Sequence, residues 1–336
     1  MKKILILIMT TLMAFTLFGC GVNTDTNNTD NTENVGDKLN IEVYAPDGAP
    51  ALALAKLIAE DMQFEQNVNY TIVSPSNISN TITLNTADLA ILPINAASKL
   101  ALDGTKYKML SVNTHGNLFI IGKEAKASLG DLKGKVLGVI GQALVPDLTL
   151  QYILKSNDID YIQGDVATAD KVTLKYYASA TELIPAIASG SISYGLLPEP
   201  AMTMALSMIS GSQLLFDLQE EWGVNSYPQA VLLAKTSLIE SQPEFITSFL
   251  SAMKDNEQWL PLNINDGVLA INAQVEEGAT PSLVADKITA QVITNCHIEV
   301  VNALASKQSV IDYLTAIKTI ADNSANIVGD DFFANI

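Results

Sequence analysis

Cys296 and His297 are the side chains in this 336-residue chain that come nearest to a nucleophile with its base. Adjacent residues on a helix point about 100° apart and do not face each other, so we exclude catalysis by this pair. The chain holds only two Cys and two His, the others being Cys20 and His115. These are too few for a zinc site or a disulfide framework. We therefore expect no metal, no cofactor and no enzyme activity.

The charged residues restrict the possible partners. All 19 basic residues are Lys, and they face 36 Asp and Glu, which gives a formal net charge of −17. An acidic chain without Arg is poorly suited to nucleic acid, which is bound through clustered Lys and Arg. It also lacks the guanidinium that grips carboxylate, sulfonate or phosphate with two parallel hydrogen bonds. We expect no nucleic-acid partner, and the missing Arg disfavours an anionic ligand.

The first 20 residues have the features of an export signal. Two Lys precede an apolar run over residues 4–18, and Gly19 and Cys20 follow it. The ending of residues 17–20 resembles the lipobox of bacterial lipoproteins, in which the Cys is acylated. The run is shorter than the ~20 apolar residues that span a membrane. We predict a lipoprotein signal peptide over residues 1–19 and lipidation of Cys20. A plain signal peptide and an uncleaved anchor are the alternatives.

A polar segment separates this signal from the rest of the chain. Residues 20–38 consist mainly of Asn, Thr and Asp and contain no aromatic side chain. Such a segment cannot bury enough apolar surface to order itself. We predict a flexible tether that holds the following globular part away from a bacterial cell membrane, outside the cytoplasm.

From residue 39 onward the sequence alternates strands and helices. The predicted strands lie at residues 39–44, 70–73, 89–92, 109–112, 118–122, 136–140, 172–176, 194–197 and 230–234. Most are followed by a polar turn and a helical pattern, which is typical of parallel α/β sheets. After Pro243 nearly everything reads as amphipathic helix, so we expect a last third that is helical and packs on a sheet formed earlier.

Three short segments carry a resemblance to a known family. They are Asp-Leu-Lys-Gly-Lys at 131–135, Leu-Pro-Glu-Pro at 197–200 and Tyr-Pro-Gln at 227–229. With them, residues 39–330 resemble the solute-binding proteins of ABC importers, in the NMT1-like group for nitrate, sulfonate, taurine and thiamine precursors. The resemblance implies the type II periplasmic-binding fold, an α/β fold of two lobes with mostly parallel sheets and a two-strand hinge. We place lobe 1 at residues 39–122 and 230–336 and lobe 2 at residues 123–229.

The resemblance also implies a function without catalysis. Such proteins capture a small molecule between their lobes and deliver it to the permease of an ABC importer, and we expect a monomer. The acidic, Arg-free chain favours a neutral or cationic nitrogen heterocycle, such as a thiamine-precursor pyrimidine, over sulfonate or nitrate. Lys or backbone N–H groups could still hold an anion. The alternative is an enzyme on this fold, similar to pyrimidine-synthesising or menaquinone-pathway enzymes, but the export signal argues against it.

A two-lobed clamp needs polar side chains at the strand-to-helix turns of both lobes, where they converge across the hinge. The candidate ligand-binding residues in lobe 1 are Asp47, Gly48, Ala49, Ser76, Asn77, Asn95, Asn113 and His115. In lobe 2 the polar candidates are Gln142, Asp147, Ser179 and Glu199, with Trp222 and Tyr227 as apolar plates.

Each candidate also has a structural interpretation. Asp47 and Glu199 could cap the helices that follow them, and Ser76 and Asn77 are ordinary turn residues. His115 could be a solvated loop residue. Residues 179–182, Ser-Ala-Thr-Glu, have the form of a capping box at a helix start.

Overall fold

The computed structural model describes residues 38–100, 106–223 and 226–336. Residues 38–336 form one compact unit. The predicted signal peptide, lipidated Cys20 and nearly all of the predicted tether lie outside the described residues. Within the described ranges, every helix is too short or too polar to cross a membrane.

Twelve strands form two six-stranded sheets in the described part of the chain. The first sheet has the order β12-β4-β11-β3-β1-β2 and the second has the order β10-β5-β9-β6-β8-β7. The strands are β1 (Asn40–Pro46), β2 (Asn67–Val73), β3 (Leu89–Pro93), β4 (Tyr107–His115), β5 (Leu118–Gly122), β6 (Val136–Ile140), β7 (Tyr161–Gln163), β8 (Val172–Tyr177), β9 (Tyr194–Pro198), β10 (Gln213–Asp217), β11 (Pro228–Lys235) and β12 (Ile298–Asn302).

Helices cover both sheets. They are α1 (Ala49–Leu52), α2 (Ala55–Ala59), α3 (Ile78–Thr83), α4 (Ile94–Leu100), α5 (Val145–Ser156), α6 (Ala180–Ala188), α7 (Ala201–Met208), α8 (Leu218–Trp222), α9 (Thr236–Ser241), α10 (Pro243–Trp259), α11 (Ile264–Ala273), α12 (Ala290–Asn295) and α13 (Ala303–Lys318). Pro50, Pro146 and Pro243 stand in the first turns of α1, α5 and α10, where the missing N–H costs nothing.

The strand sequences bury side chains on both faces of the first sheet. In β3, Leu89 and Ile91 pack with the helices of one core, whereas Ala90 and Leu92 pack with those of another. Successive strand residues point to opposite faces, so this continuous apolar run is a strand buried on both sides. The second of these cores continues into the second sheet, where it includes Leu137 of β6. The two sheets are therefore packed into one structure.

The α/β fold is confirmed, and the pairing adds detail. In the first sheet, β2, β1 and β3 are parallel to one another. β11 pairs antiparallel with β3, β4 pairs antiparallel with β11, and β12 pairs antiparallel with β4. In the second sheet, β7, β8, β6 and β9 are parallel, β5 pairs antiparallel with β9, and β10 pairs antiparallel with β5. β5, which the prediction placed in lobe 1, pairs with β9 and β10 in the second sheet.

The expectation that strands stop two-thirds of the way along is wrong. β12 lies within the last third and pairs antiparallel with β4. Its sequence, Ile-Glu-Val-Val-Asn, is rich in β-branched residues but only five residues long. An edge strand this short is formed by its neighbour as much as by its own propensity. The short strands β7 and β10 also lie where no strand was predicted.

Candidate functional site

The carboxyl ends of three strands of the first sheet lie beside the segments that connect the two sheets. β1, β3 and β4 run in the same direction, because β11 is antiparallel to both β3 and β4. Their carboxyl ends therefore lie at one edge, which carries Asp47 after β1, Asn95 after β3, and Asn113 and His115 in β4. Ala230 of β11 pairs with Pro93 on one side and with Thr114 on the other. This register holds the ends of β3 and β4 two strand spacings apart, ~10 Å.

The second sheet presents the corresponding edge. β6, β8 and β9 are parallel, and β5 begins at this end because Leu118 pairs with Pro198. Gly141 follows β6 and Glu199 follows β9 at the same edge. The chain passes from β4 to β5 through Gly116 and Asn117, so the ligand-candidate edges of both sheets meet at this crossing. That is the arrangement in which α/β proteins bind ligands.

The two chain crossings are bonded to each other. The Gly116 N–H donates to the Tyr227 carbonyl oxygen at 2.9 Å and lies 3.1 Å from Ser226 Oγ. Asn117 and Gln229 exchange two hydrogen bonds, of 3.2 and 2.8 Å. A Cβ on Gly116 would lie 2.5 Å from the Tyr227 ring, so this position needs glycine. These contacts form a narrow hinge. Asn117 was missed as a candidate, although its place between two predicted strands marks it.

A third segment is attached to the hinge. Asn295 and Cys296 end α12, and His297 follows with a left-handed φ of 48°. The His297 carbonyl oxygen accepts from the His115 N–H at 3.0 Å, and Nδ1 of the His297 ring contacts the Gly116 carbonyl oxygen. Asn117 Nδ2 donates to the Cys296 carbonyl oxygen at 3.4 Å. We call residues 295–297 the hinge clamp. It gives the Cys296 and His297 pair a structural role, and burial raises the pKa of the Cys296 thiol well above its ordinary value.

Asp47 lies directly after β1, with one carboxylate oxygen bound and the other not. Oδ2 accepts from the Ser282 N–H at 2.7 Å. Oδ1 is buried and has no partner among the described residues. Burial raises the pKa of this carboxyl above its ordinary value of 3.8, and the hydrogen bonds with Ser282 oppose the shift. Gly48 follows with a φ of 114°, and α1 begins at Ala49.

The other candidates of the first sheet differ in burial. Ser76 and Asn77 are exposed, and Ser76 Oγ lies 3.0 Å from Ser74 Oγ within the turn. Asn95 is buried, and its Nδ2 donates to the carbonyl oxygens of Ala143 and Ser324 at 3.0 and 3.3 Å. The structure thus brings Asn95 into the interior and leaves Ser76 and Asn77 in contact with solvent.

Asn113 occupies an irregular position in β4. Thr114 pairs with Ala230 and Val112 pairs with Val231, so Asn113 is an extra residue without a partner on β11. Such bulges redirect side chains and are common beside binding sites. Asn113 is fully buried and Nδ2 lies 3.2 Å from Ser111 Oγ, whereas its Oδ1 has no partner in the described chain.

Burial favours the neutral form of His115. Burial lowers the pKa of its imidazole below the ordinary 6.5, and the nearby Glu299 carboxylate opposes that shift. Nε2 is buried and has no hydrogen-bond partner among the described residues. One nitrogen of a neutral imidazole donates and the other accepts, so Nε2 is a polar atom that a ligand can bind.

Asp147 lies in α5, beside the second sheet, and both of its carboxylate oxygens accept hydrogen bonds from the protein. Its Oδ2 accepts from the Ala143 N–H at 2.8 Å, and its Oδ1 accepts from Gln151 and Tyr176 at 2.6 and 2.8 Å. Asp147 is buried, and it fixes the turn between β6 and α5. Gln142, in that turn, is exposed.

Ser179 begins α6, but the predicted capping box is not formed. Its Oγ lies 2.7 Å from Thr181 Oγ1 and makes no cap hydrogen bond to the backbone. Glu182 accepts from the Ala178 N–H instead of the Ser179 N–H, at 3.1 Å. The Glu side chain reaches one residue farther back than the motif predicts.

Glu199 is buried and serves as a cap, as its structural interpretation expected. Its two oxygens accept from the Thr203 N–H at 3.1 Å and the Thr203 hydroxyl at 2.6 Å. Asn295 Nδ2, in the hinge clamp, lies 3.4 Å from the same carboxylate. Glu199 therefore links a strand end of the second sheet to the clamp.

Trp222 and Tyr227 belong to an aromatic cluster at the hinge. Trp222 lies between Tyr152 of α5 and Tyr313 of α13, with ring centroids 4.7 and 5.2 Å away, and Tyr227 stacks on Tyr313 at 5.6 Å. The Tyr227 hydroxyl donates to Gln219 Oε1 at 3.0 Å. The Tyr313 hydroxyl lies 2.9 Å from Thr149 Oγ1. Since α13 contacts the first sheet and α5 the second, this cluster joins the two.

The site therefore offers mainly hydrogen-bond acceptors. Five buried atoms without a partner among the described residues lie at its first-sheet edge: the acceptors Asp47 Oδ1, Asn95 Oδ1 and Asn113 Oδ1, the imidazole atom His115 Nε2, and the hydroxyl oxygen Thr114 Oγ1, which can also donate. Buried polar atoms are normally paired, so such a group calls for an explanation. The described residues contain no group of three His, Cys, Asp or Glu placed to hold a metal ion.

Comparison with known proteins identifies this architecture. An ABC transporter protein from Parabacteroides distasonis has 20% identity and a TM-score of 0.71, over 89% of this chain and 99% of that one. A ligand-binding component of an ABC-type import system from Staphylococcus aureus has 13% identity and a TM-score of 0.63, over 88% and 97%. The aliphatic sulphonate-binding protein SsuA from Escherichia coli has 14% identity and a TM-score of 0.62, over 88% and 96%. The fold is thus that of the binding proteins of ABC transporters.

The family follows from the sequence itself. The family model described as NMT1/THI5 like matches residues 65–260, more than half of the chain. This chain therefore belongs to the NMT1/THI5-like family, which confirms the resemblance found in its sequence motifs. A comparison with curated protein sequences found no match.

Proposed function

We propose that this chain is an extracytoplasmic, lipid-anchored solute-binding protein that captures a small organic molecule between its two sheets and delivers it to an ABC permease. One observation carries the proposal. Both sheets direct their ligand-candidate edges to one hinge, and buried acceptors without partners lie there. The family and the fold support the same function. Two lobes, with a boundary between β4 and β5, would move about this hinge.

The acceptors support a ligand that donates hydrogen bonds. Carboxylate and amide acceptors match the N–H groups of a neutral or cationic nitrogen heterocycle, such as a thiamine-precursor pyrimidine. The Trp222 and Tyr227 rings could pack against such a ring once the lobes separate. The oxygens of a sulfonate or nitrate would face mainly acceptor atoms, with the Thr114 hydroxyl as a donor, in a chain without Arg. Asp47, Gly48, Ala49, Asn95, Asn113 and His115 are the ligand contacts that we favour.

A thermal-shift screen tests this function. Pyrimidines, amines, amino acids and sulfonates are added separately to the purified protein, because a ligand that binds only the folded state raises its unfolding temperature. We expect a pyrimidine or amine to give the largest shift. A response to sulfonates alone would contradict the preferred ligand and keep the receptor, whereas turnover of a bound compound would favour the enzyme alternative.

The anchor has its own test. Cells that express the chain are grown with a radioactive fatty acid, and Cys20→Ser is the matched variant. We expect label on the wild-type protein and none on the variant. Equal labelling of the two proteins, or none on either, would refute lipidation at Cys20.

A further inference from the structure

The amide of Asn95 has a fixed orientation. Its Nδ2 donates to two carbonyl oxygens, those of Ala143 and Ser324. A carbonyl oxygen can only accept, so turning the amide over would place its own oxygen against both. The nitrogen must therefore face Ala143 and Ser324, and Oδ1 must point the other way.

The oxygen of this amide is left without a donor. Asn95 is 1% exposed, and Oδ1 has no hydrogen-bond partner among the described residues. It lies at the end of β3, in the edge that also carries Asn113 and His115. A buried acceptor without a donor is unfavourable, so a molecule that supplies an N–H or O–H at this position gains from it.

The nitrogen of the same amide reaches the other sheet. Ala143 lies in the turn after β6, in a left-handed conformation with φ 58°. Its N–H donates to Asp147 Oδ2, and Asp147 is held by Gln151 and Tyr176. Asn95, which follows β3 of the first sheet, therefore bonds to a turn that Asp147 ties to the elements of the second sheet.

We propose that Asn95 determines ligand specificity and holds the lobes closed with the same side chain. Its Oδ1 accepts a hydrogen bond from an N–H or O–H of the solute, while its Nδ2 bonds the second lobe through Ala143. A solute with a donor at this position thereby stabilises the amide orientation that closure needs, whereas a sulfonate oxygen opposes Oδ1. This inference rests on the proposed function.

Two variants separate these roles. Asn95→Ala removes the acceptor and the donors. Asn95→Asp keeps an oxygen acceptor but loses both donors, and it sets an oxygen against the two carbonyls. Asn80→Ala, at an exposed position of α3, is the control. Calorimetry gives the affinities for aminopyrimidine, unsubstituted pyrimidine and ethanesulfonate, and small-angle scattering gives the radius of gyration with and without aminopyrimidine. Cooperative thermal unfolding confirms that each variant folds.

We expect wild type and the Asn80 control to prefer aminopyrimidine over pyrimidine by about tenfold, the value of one hydrogen bond with a buried acceptor. Asn95→Ala loses that preference and Asn95→Asp keeps it, and both have a larger radius of gyration than wild type. If Asn95→Ala does not fold, the wild-type preference and the Asn95→Asp scattering decide.

Three results would overturn the inference while leaving a solute-binding protein: no wild-type preference between the two pyrimidines, preference for ethanesulfonate, or an Asn95→Ala variant that keeps the wild-type preference. An unchanged radius of gyration in both variants would overturn the closing role. Binding of none of the three probes by wild type would count against both this inference and the proposed function.

Discussion

At the scale of single residues, the candidates divide by what their polar atoms already bind. Asp147 and Glu199 have their oxygens occupied by groups of the protein, so they stabilise turns. Asp47, Asn95 and Asn113 each keep one oxygen unpartnered in the described chain. Binding sites often retain such unfavourable groups, because function and stability impose different demands. This contrast selects the residues that we expect to contact ligand.

Asp47→Asn should stabilise the folded protein at neutral pH. Burial raises the carboxyl pKa above 3.8, so the folded state binds a proton more tightly than the unfolded state. The contribution of Asp47 to stability is then largest below pH 3.8 and is lost as the pH rises through the raised pKa. Asn keeps an oxygen for the Ser282 N–H and carries no charge.

Thermal unfolding of both proteins from about pH 3 to pH 7 checks this. The melting temperature of Asp47→Asn should exceed that of wild type by more at neutral pH than in acid. Asn77→Asp, at an exposed position, places a new carboxylate in solvent as the comparison. A difference between Asp47→Asn and wild type that is constant with pH would show that charge burial is not the cause.

At the scale of elements, the hinge clamp links α12 and β12 to the crossing between β4 and β5. It contacts the backbone of His115 and Gly116 and the side chains of Asn117 and Glu199. We infer that the clamp fixes the first-sheet side of the hinge, so that β4 ends at a defined place.

Within the hinge clamp, His297 has a left-handed backbone conformation. At φ 48°, a residue with a Cβ is strained and glycine is not. His297→Ala and His297→Gly both remove the ring contact with Gly116, but only the second relieves the backbone. We expect the Gly variant to be more stable than the Ala variant by about 1 kcal/mol in urea unfolding. Equal stabilities, or a more stable Ala variant, would mean that the left-handed conformation is not retained.

The sequence predicts strands well where they are buried on both faces of a sheet. The runs at residues 89–92, 136–140 and 194–197 are strands because continuous apolar residues between turns can pair and pack only in that way. β12 escaped prediction because its five residues pair with β4, which lies more than 180 residues earlier. A short window of sequence contains no sign of that partner.

The candidate site is predictable in position more than in detail. Strand ends point to Asp47, Asn95, His115 and Glu199, since parallel strands bring their carboxyl ends together. Which oxygens remain unpartnered depends on distant groups, such as Ser282 for Asp47 and Ser324 for Asn95. The bulge that isolates Asn113 arises from the register of β4 on β11, which local sequence does not determine.

At the scale of the whole molecule, the aromatic cluster connects helices of both sheets. Trp222 packs between Tyr152 of α5 and Tyr313 of α13. Any rotation of one sheet relative to the other about the hinge must change these ring distances. The cluster is therefore a natural reporter of lobe movement, and it lies beside Tyr227 at the crossing.

Tryptophan fluorescence should detect that movement. The chain has two Trp, so Trp259→Phe leaves Trp222 as the only one. With the compound that gives the largest thermal shift, we expect the emission of Trp259→Phe to change and that of Trp222→Phe to stay constant, because Trp259 packs in the core on the far face of the first sheet. A change confined to Trp222→Phe would place the movement elsewhere.

Hydrogen exchange with and without that compound tests the central claim most directly, because it locates the ligand on the chain. We predict slower exchange at the edges of both sheets, around residues 93–95 and 113–117 in the first and 141–147 in the second. Protection of one sheet alone, or protection confined to the surface pocket lined by residues 261–266 and Ile288, would contradict a ligand held between the two sheets.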